Sequence, residues 1–306
     1  RLRLWPGDPR PSGDAVPLRL CGGLHASVRA GNAPSLATCY PPNALPERER
    51  LAAAVSEAMR ASDLVQWLDR PPQTNEVGRA NALFSGLLAF ADRFPQPVAL
   101  FELGASAGLN LNMDRFGYDL GGLHTGDPAS PLQLRPAWTG PSPPEARIEV
   151  LARRGVDLTP LDALSEGERL RAFVWADQVR RIEQLGAALE VARAHPPLVD
   201  SGDAAAWLEA RLDEAQPRAT GRLVYHSIAF QYFPPNTQAR VKQAIEGAGD
   251  KATGQTPLGW LRFERTPDEQ DPTLRLRMWP GNDDRLLATC HPHGTSINWL
   301  AGAPAR

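Results

Sequence analysis

Cysteine is scarce: Cys21, Cys39 and Cys290 are the only 3 in 306 residues. They are odd in number, far apart and without a C-x-x-C pair, which argues against a disulfide framework and predicts reduced, mostly packed thiols. Lysine is almost missing, with Lys242 and Lys251 alone beside a majority of arginine. That bias is what a GC-rich genome produces and carries no binding inference. The net charge is −2 and no dense basic patch is present to track phosphates, so nucleic acid is not an expected partner. No apolar run approaches the roughly 20 residues of a membrane span, and Arg-Leu-Arg-Leu-Trp-Pro-Gly at the start lacks a signal peptide's apolar centre. No membrane partner and a cytoplasmic location are therefore expected for these residues. What is present, 42% hydrophobic and 22% charged residues, is the composition of a globular protein long enough to bury a large core.

The chain is organised around Val98-Ala-Leu-Phe-Glu-Leu-Gly-Ala-Ser-Ala-Gly-Leu-Asn110. An apolar run leads into Glu102, a loop carries Gly104, Ser106 and Gly108, and Leu109 to Phe116 reads as helical. Buried strand, small-residue turn and helix would aim free N–H groups at whatever lies above the turn. Before it the chain is helical. Leu18, Cys21, Leu24, His25 and Val28 share one helical face, Pro46 opens a helix carrying Leu51, Val55 and Met59, and a third helix begins near Asn75 and stops before Pro95. Beyond Phe116, Gly117 to Pro144 is too long for an ordinary connection and reads as an insertion or lid.

Strand and helix signals then alternate. Ile148 to Leu151 and Gly155 to Leu158 read as short strands, with Thr159-Pro160 starting a turn of helix. Asp177 is placed to cap a long helix that ends before Pro196. Pro197 to Asp200 is a strand candidate, and Asp203 precedes another helix. Arg222 to Ser227 reads as a buried strand, followed by an aromatic loop and a helix capped by Thr237. Three strands close the chain: Leu258 to Glu264, Leu274 to Trp279 and Leu286 to His291. A mostly parallel sheet with an antiparallel end is the simplest architecture.

Two chemistries suit the central turn. Gly104-Ala-Ser106-Ala-Gly108 matches the G-x-S-x-G nucleophile elbow, and Asp203 followed by His226, His291 or His293 gives the triad order of an α/β-hydrolase. Its context is poor, because the preceding segment is helical, no His-Gly-Gly run supplies an oxyanion loop, and Glu102 has no role in acyl transfer. A cofactor cradle uses more of the chain. Glu102, Gly104, Ser106 and Gly108 would face the ligand, Asp157 at the end of a later strand would accept from ribose hydroxyls, and Asp203 would accept from the exocyclic amine of an adenine. Gly104 and Asp157 stand farther apart than the roughly 20 residues of a compact βαβ unit. Asp119 or Asp127 therefore competes for the ribose role unless the insertion absorbs the excess. A nicotinamide cofactor is disfavoured, since the first half of G-x-G-x-x-G is missing.

This E-x-G-x-S-x-G, V-D-L-T-P, G-D-A series resembles class I S-adenosylmethionine-dependent methyltransferases. Gln73 to Arg79, Glu102 to Leu111, Val174-Trp-Ala-Asp-Gln178, and Val224 to Ile228 with Gln231-Tyr232 together resemble the bacterial domain of unknown function 2332, over nearly the whole chain. The resemblance implies a Rossmann-like α/β fold of methyltransferase type, with a helical cap at 1–95 and an α/β domain at 96–306 carrying an insertion at about 117–147. S-adenosylmethionine is the expected cofactor and a small molecule the expected substrate. A serine esterase using Ser106 and a non-catalytic binding protein are the alternatives. His226 and Tyr232, with Ser227 and Gln231 beside them, fall where the reacting centre usually lies. His226 would be a general base, and Arg79 would bind an acidic group. His291-Pro-His293 has no Cys or acid at ligand spacing, so no metal is expected.

Overall fold

Val98–Leu103 (β1) is buried at every position but Ala99. A strand flanked on both edges and covered on both faces needs no polar alternation, which is why five of these six residues are apolar. The remaining strands are β2 (Gly117–Leu120), β3 (Leu123–Gly126), β4 (Gln133–Leu134), β5 (Ala137–Thr139), β6 (Val150–Asp157), β7 (Val199–Ser201), β8 (Gly221–Ser227), β9 (Leu258–Glu264), β10 (Thr273–Trp279), β11 (Asp283–Cys290) and β12 (Ser296–Trp299). The helices are α1 (Val16–Arg29), α2 (Pro34–Ala37), α3 (Arg48–Ala58), α4 (Leu64–Trp67), α5 (Ala80–Arg93), α6 (Gly167–Ala172), α7 (Val179–Ala194), α8 (Ala204–Asp213) and α9 (Pro235–Gly249). The computed structural model describes residues 4–10, 13–60, 64–265 and 271–301.

The fold is mixed α/β, with a nine-stranded, mostly parallel central sheet in the order β5-β12-β11-β10-β9-β8-β1-β6-β7. Strands β9, β8, β1, β6 and β7 are mutually parallel, so their carboxyl ends share one edge. Strands β10, β11 and β12 follow as an antiparallel meander. The chain leaves β1 toward β6 and β7, then returns to the other side of β1 as β8 and β9. The switch point is therefore between β1 and β8, where ligands of open α/β sheets settle.

Helices cover both faces. On one, Phe101, Leu103 and Val156 pack with Leu208 of α8 and with Val241 and Ile245 of α9. Against β9, β10 and β11 lies α5, nearly all of whose residues are buried, as befits a helix that is apolar on every side. The second unit, residues 1–74 with 164–186, is helical. Its core gathers Leu24, Leu36, Cys39, Ala54 and Leu64, and its α1 and α6 ends are tied by Arg29 and Glu168 at 2.9 Å.

Several expectations need correction. The division falls at 74/75, not 95/96, and segment 164–186 joins the helical unit, because α5 spends its apolar surface on the sheet. Leu109–Arg115 is a 3-10 stretch interrupted at Asn112 rather than an α-helix. Asn110 and Asn112 there bond outward to the Glu76 and His195 carbonyls. The two strand pieces around 148–158 are one strand, β6. Thr159 starts no helix; its N–H is held instead in a turn by Asp157 Oδ1 at 3.0 Å. Thr237 lies inside α9, whose N-cap is Pro234. The insertion builds a small sheet, β3-β2-β4, then sends β5 to the far edge beside β12. No helix among the described residues is long and apolar enough to cross a membrane.

Truncating Leu100→Ala, fully buried at 0% exposure in the central strand, should cost about 2–5 kcal/mol. Urea unfolding measures it, and a cost below about 1 kcal/mol would mean that β1 is not central to the core.

Candidate functional site

The carboxyl edge around β1 and β8 brings together segments that are remote in the sequence. The turn after β1 is left-handed at Gly104 (φ 70), Ser106 (φ 55) and Gly108 (φ 71). Its N–H groups do not point at open space. Gly104 and Ala105 donate to the Val156 carbonyl of β6 at 2.9 and 3.0 Å, and Gly108 donates to the Ala105 carbonyl at 2.7 Å. Ser106 donates to Asp157 Oδ2 at 2.8 Å and Leu109 to Asn75 Oδ1 at 2.9 Å. The expectation of free donors above the turn is thus corrected for these five N–H groups, whose acceptors are protein atoms. The Ser106 hydroxyl is different, being buried with no hydrogen-bond partner among the described residues.

Asp157 sits just beyond the register pair Leu103–Val156, at the carboxyl end of the strand beside β1. The long insertion accounts for its distance in sequence from Gly104. Asp119 and Asp127 lie elsewhere, in and after the small sheet, where they accept from the Gly122 and Ala129 N–H groups of tight turns. Asp203 caps α8 by accepting from Ala205 and Ala206 at 3.1 and 3.0 Å, while its other oxygen accepts from the Thr237 hydroxyl at 2.9 Å. The Ala206 N–H and these other donors hold its carboxyl below the usual range against the opposing effect of burial.

Glu102 lies beneath the turn, 2% exposed. The Tyr225 hydroxyl approaches its Oε2 at 3.4 Å and the Asn110 carbonyl at 3.3 Å. Burial pushes the Glu102 carboxyl up to about 8; the Tyr225 bond and the charge of Arg79 oppose the shift and the charge of Asp157 adds to it. Burial likewise drives the Tyr225 phenol well above its ordinary value, with Glu102 adding to it. At neutral pH this is a protonated acid in the middle of the sheet.

On the other side of the switch point, Glu264 ends β9. Its Oε1 accepts from His226 Nδ1 at 2.7 Å and from the Ala229 and Phe230 N–H groups at 3.0 Å each. Burial raises the carboxyl, but these donors outweigh it and hold it below the ordinary range. His226 Nε2 accepts from Trp260 Nε1 at 3.1 Å, so the ring carries its proton on Nδ1 and has no nitrogen left for a substrate. The general-base role expected of His226 is corrected on that ground: the ring holds the strand end. Tyr232, by contrast, is 75% exposed on the following loop.

Residues 75–81 tie these pieces together. Asn75 does not cap its own helix but reaches Leu109. Glu76 is the N-cap of the 3-10 turn Val77–Arg79, accepting from Gly78, and its Oε2 lies 2.9 Å from His293 Nδ1. Arg79 donates to the Pro292 and Ser227 carbonyls at 3.0 and 2.8 Å, so it braces backbone where an acidic ligand group was expected. Asn81 reaches the Gly294 carbonyl at 3.0 Å. Asp177 and Gln178 belong to the helical unit, where Asp177 lines a cavity with His25, Tyr40 and Trp175. Among the described residues no group of three or more His, Cys, Asp or Glu could hold a metal.

Sequence reading missed Glu264, Trp260 and Tyr225. Only Glu264 left a signal, as an acid at the carboxyl end of an apolar strand.

Two outcomes follow. The Glu102 carboxyl is raised in the folded chain from 4.5 to about 8, so the unfolded chain ionises first and stability falls as pH climbs through that window. The slope is at most about 1.4 kcal/mol per pH unit. Glu102→Gln should remove this fall, gaining on the wild type between pH 5 and pH 8 in urea titrations; parallel curves would refute the buried acid. Asn75→Ala, which strips the acceptor from Leu109 N–H, should cost about 1–3 kcal/mol in the same measurement.

A search of the curated proteins finds no match. The chain belongs to the bacterial family of the domain of unknown function 2332, described as an uncharacterized protein conserved in bacteria, whose model matches residues 1–299.

Proposed function

We propose that this protein binds S-adenosylmethionine at the carboxyl edge of β1 and β6 and transfers its methyl group to a small molecule. The reading is that of a Rossmann-like fold of methyltransferase type. It is supported by five parallel strands in the order β9-β8-β1-β6-β7, the arrangement of doubly wound nucleotide-binding sheets. The observation that carries it is the buried, unpartnered Ser106 hydroxyl in the same turn whose Ser106 N–H is held by Asp157. An orphaned hydroxyl beside an oriented carboxylate at a switch point fits a ligand rich in hydroxyl groups.

Asp157 and Ser106 would hold the ribose hydroxyls, with Gly104 and Gly108 forming the backbone beneath them. Glu102 stays protonated under the turn and fixes it through Tyr225. Asp203, engaged as a helix cap, would meet an adenine amine only with its remaining acceptor capacity. The cofactor supplies an electrophilic methyl group. The chain's own task is then alignment of the acceptor and exclusion of water, and Tyr232, exposed on the loop after β8, would contact the acceptor. The esterase alternative has less support, because Ser106 Oγ has no histidine within bonding reach.

One observation favours a second reading, a binding protein without turnover: both nitrogens of His226 are engaged, by Glu264 and Trp260, so this histidine is not available as a base toward an acceptor.

Calorimetric titration of the full chain with S-adenosylmethionine and S-adenosylhomocysteine tests both readings. Binding is expected, and Asp157→Asn, which keeps an acceptor for Ser106 while removing the charge, should weaken it about tenfold or more. No binding by folded chain would sink the proposal. Binding without methyl transfer to any tested acceptor would favour the second reading.

A further inference from the structure

At the amino ends of β1, β6 and β8, opposite the turn after β1, lies a cleft of about 670 Å³, within the size range of small-molecule sites. It exists because β7 pairs only with Gly155, Val156 and Asp157 of β6. The amino half of β6 has β1 on one side and, among the described residues, no strand on the other. Five arginines line the opening: Arg115, Arg153, Arg154, Arg211 and Arg222.

Three of these have carboxylate partners. Arg153 binds Asp114 through two nitrogens, Arg154 binds Asp200 at 2.7 and 2.8 Å, and Arg211 meets Glu214 at 2.7 Å. Arg115 and Arg222 have no carboxylate within 4.0 Å among the described residues. Arg115 contacts His195 Nε2 at 3.2 Å through Nη1, and its Nε is buried with no hydrogen-bond partner. Arg222 is 8% exposed, and its guanidinium donates to the Leu212 and Glu214 carbonyls at 2.9 and 2.6 Å. Those carbonyls satisfy hydrogen bonds but bring no full negative charge. Burial accordingly lowers the Arg222 pKa, with the charge of Glu214 opposing the shift. A buried guanidinium with no carboxylate in contact and an orphaned N–H donor are both costly, and an anion in the cleft would relieve both.

We propose that this cleft binds the phosphate group of a small organic phosphate, with Arg115 and Arg222 supplying the two positive charges that no carboxylate contacts. A phosphate dianion matches that excess, and its oxygens suit the planar fork of a guanidinium. The organic part has a wall to lie on: Leu151 and Leu198 line the same cleft and are 55% and 62% exposed, respectively. This site is independent of the cofactor reading, since it lies at the other end of the strands.

The test is calorimetric titration of the full chain with inorganic phosphate and with phenyl phosphate, at ionic strength held constant with sodium chloride. Both should bind, phenyl phosphate more tightly. Arg115→Gln should weaken both by about tenfold or more while leaving thermal unfolding without phosphate unchanged, which separates a lost ligand contact from a damaged fold. Leu198→Ser should abolish the advantage of phenyl phosphate and leave inorganic phosphate binding as it was. No heat from either titrant, or equal affinities in the wild type and Arg115→Gln, would overturn the proposal. Arg222 is not the variant of choice, because it also holds the carbonyls at the end of α8.

Discussion

Burying the turn that leaves the central strand is the constraint on which the site depends. A buried N–H left without an acceptor costs about 1–3 kcal/mol, and this turn carries several in succession. Val156, Asp157 and Asn75 meet most of them. Their order in the chain is Asn75, then the turn, then β6, so one loop pins together three remote segments. Gly104 is needed in the middle because its backbone is left-handed and its Cα faces Ala229 with no room for a Cβ.

The same logic governs the far side of the switch point. Glu264 is a buried charge, and a buried charge survives only when paired and hydrogen-bonded. Three donors to one of its oxygens achieve this, and the consequence is that His226 becomes part of the frame. Side chains that look chemically able when read singly are spent on holding strand ends. What is left for a ligand is the orphaned Ser106 hydroxyl, Glu264 Oε2 and Asn110 Oδ1, likewise unpartnered among the described residues, an oriented carboxylate and an exposed tyrosine.

The two ends of the parallel sheet differ in charge. Glu102, Asp157 and Glu264 stand at or near the carboxyl ends of their strands, whereas Arg153 and Arg222 stand on the amino halves of β6 and β8 and Arg154 follows Arg153 at the middle of β6. At the carboxyl edge Glu102 is protonated at neutral pH, and Glu264 and Asp157 are held by hydrogen bonds. At the amino end Arg115 and Arg222 have no carboxylate within 4.0 Å among the described residues.

Much of the fold was legible in the sequence. The apolar run of β1, the strands β7 to β11 and the helices α1, α3, α5, α8 and α9 all follow from local periodicity, because burial of one face or both writes itself into residue order. The sequence by itself also determined the glycine-bearing turn, which is one contiguous run, and the family, which rests on several short runs read in chain order. The tertiary structure alone decided that Asp157 stands beside that turn, that α5 belongs to the sheet, and that β5 crosses to the far edge. It alone decided that Glu264 consumes His226 and that β7 is too short to close the sheet over the arginines. The reason is the same in each case: these outcomes depend on which distant group reaches a hydrogen-bond donor first, and no local pattern records that.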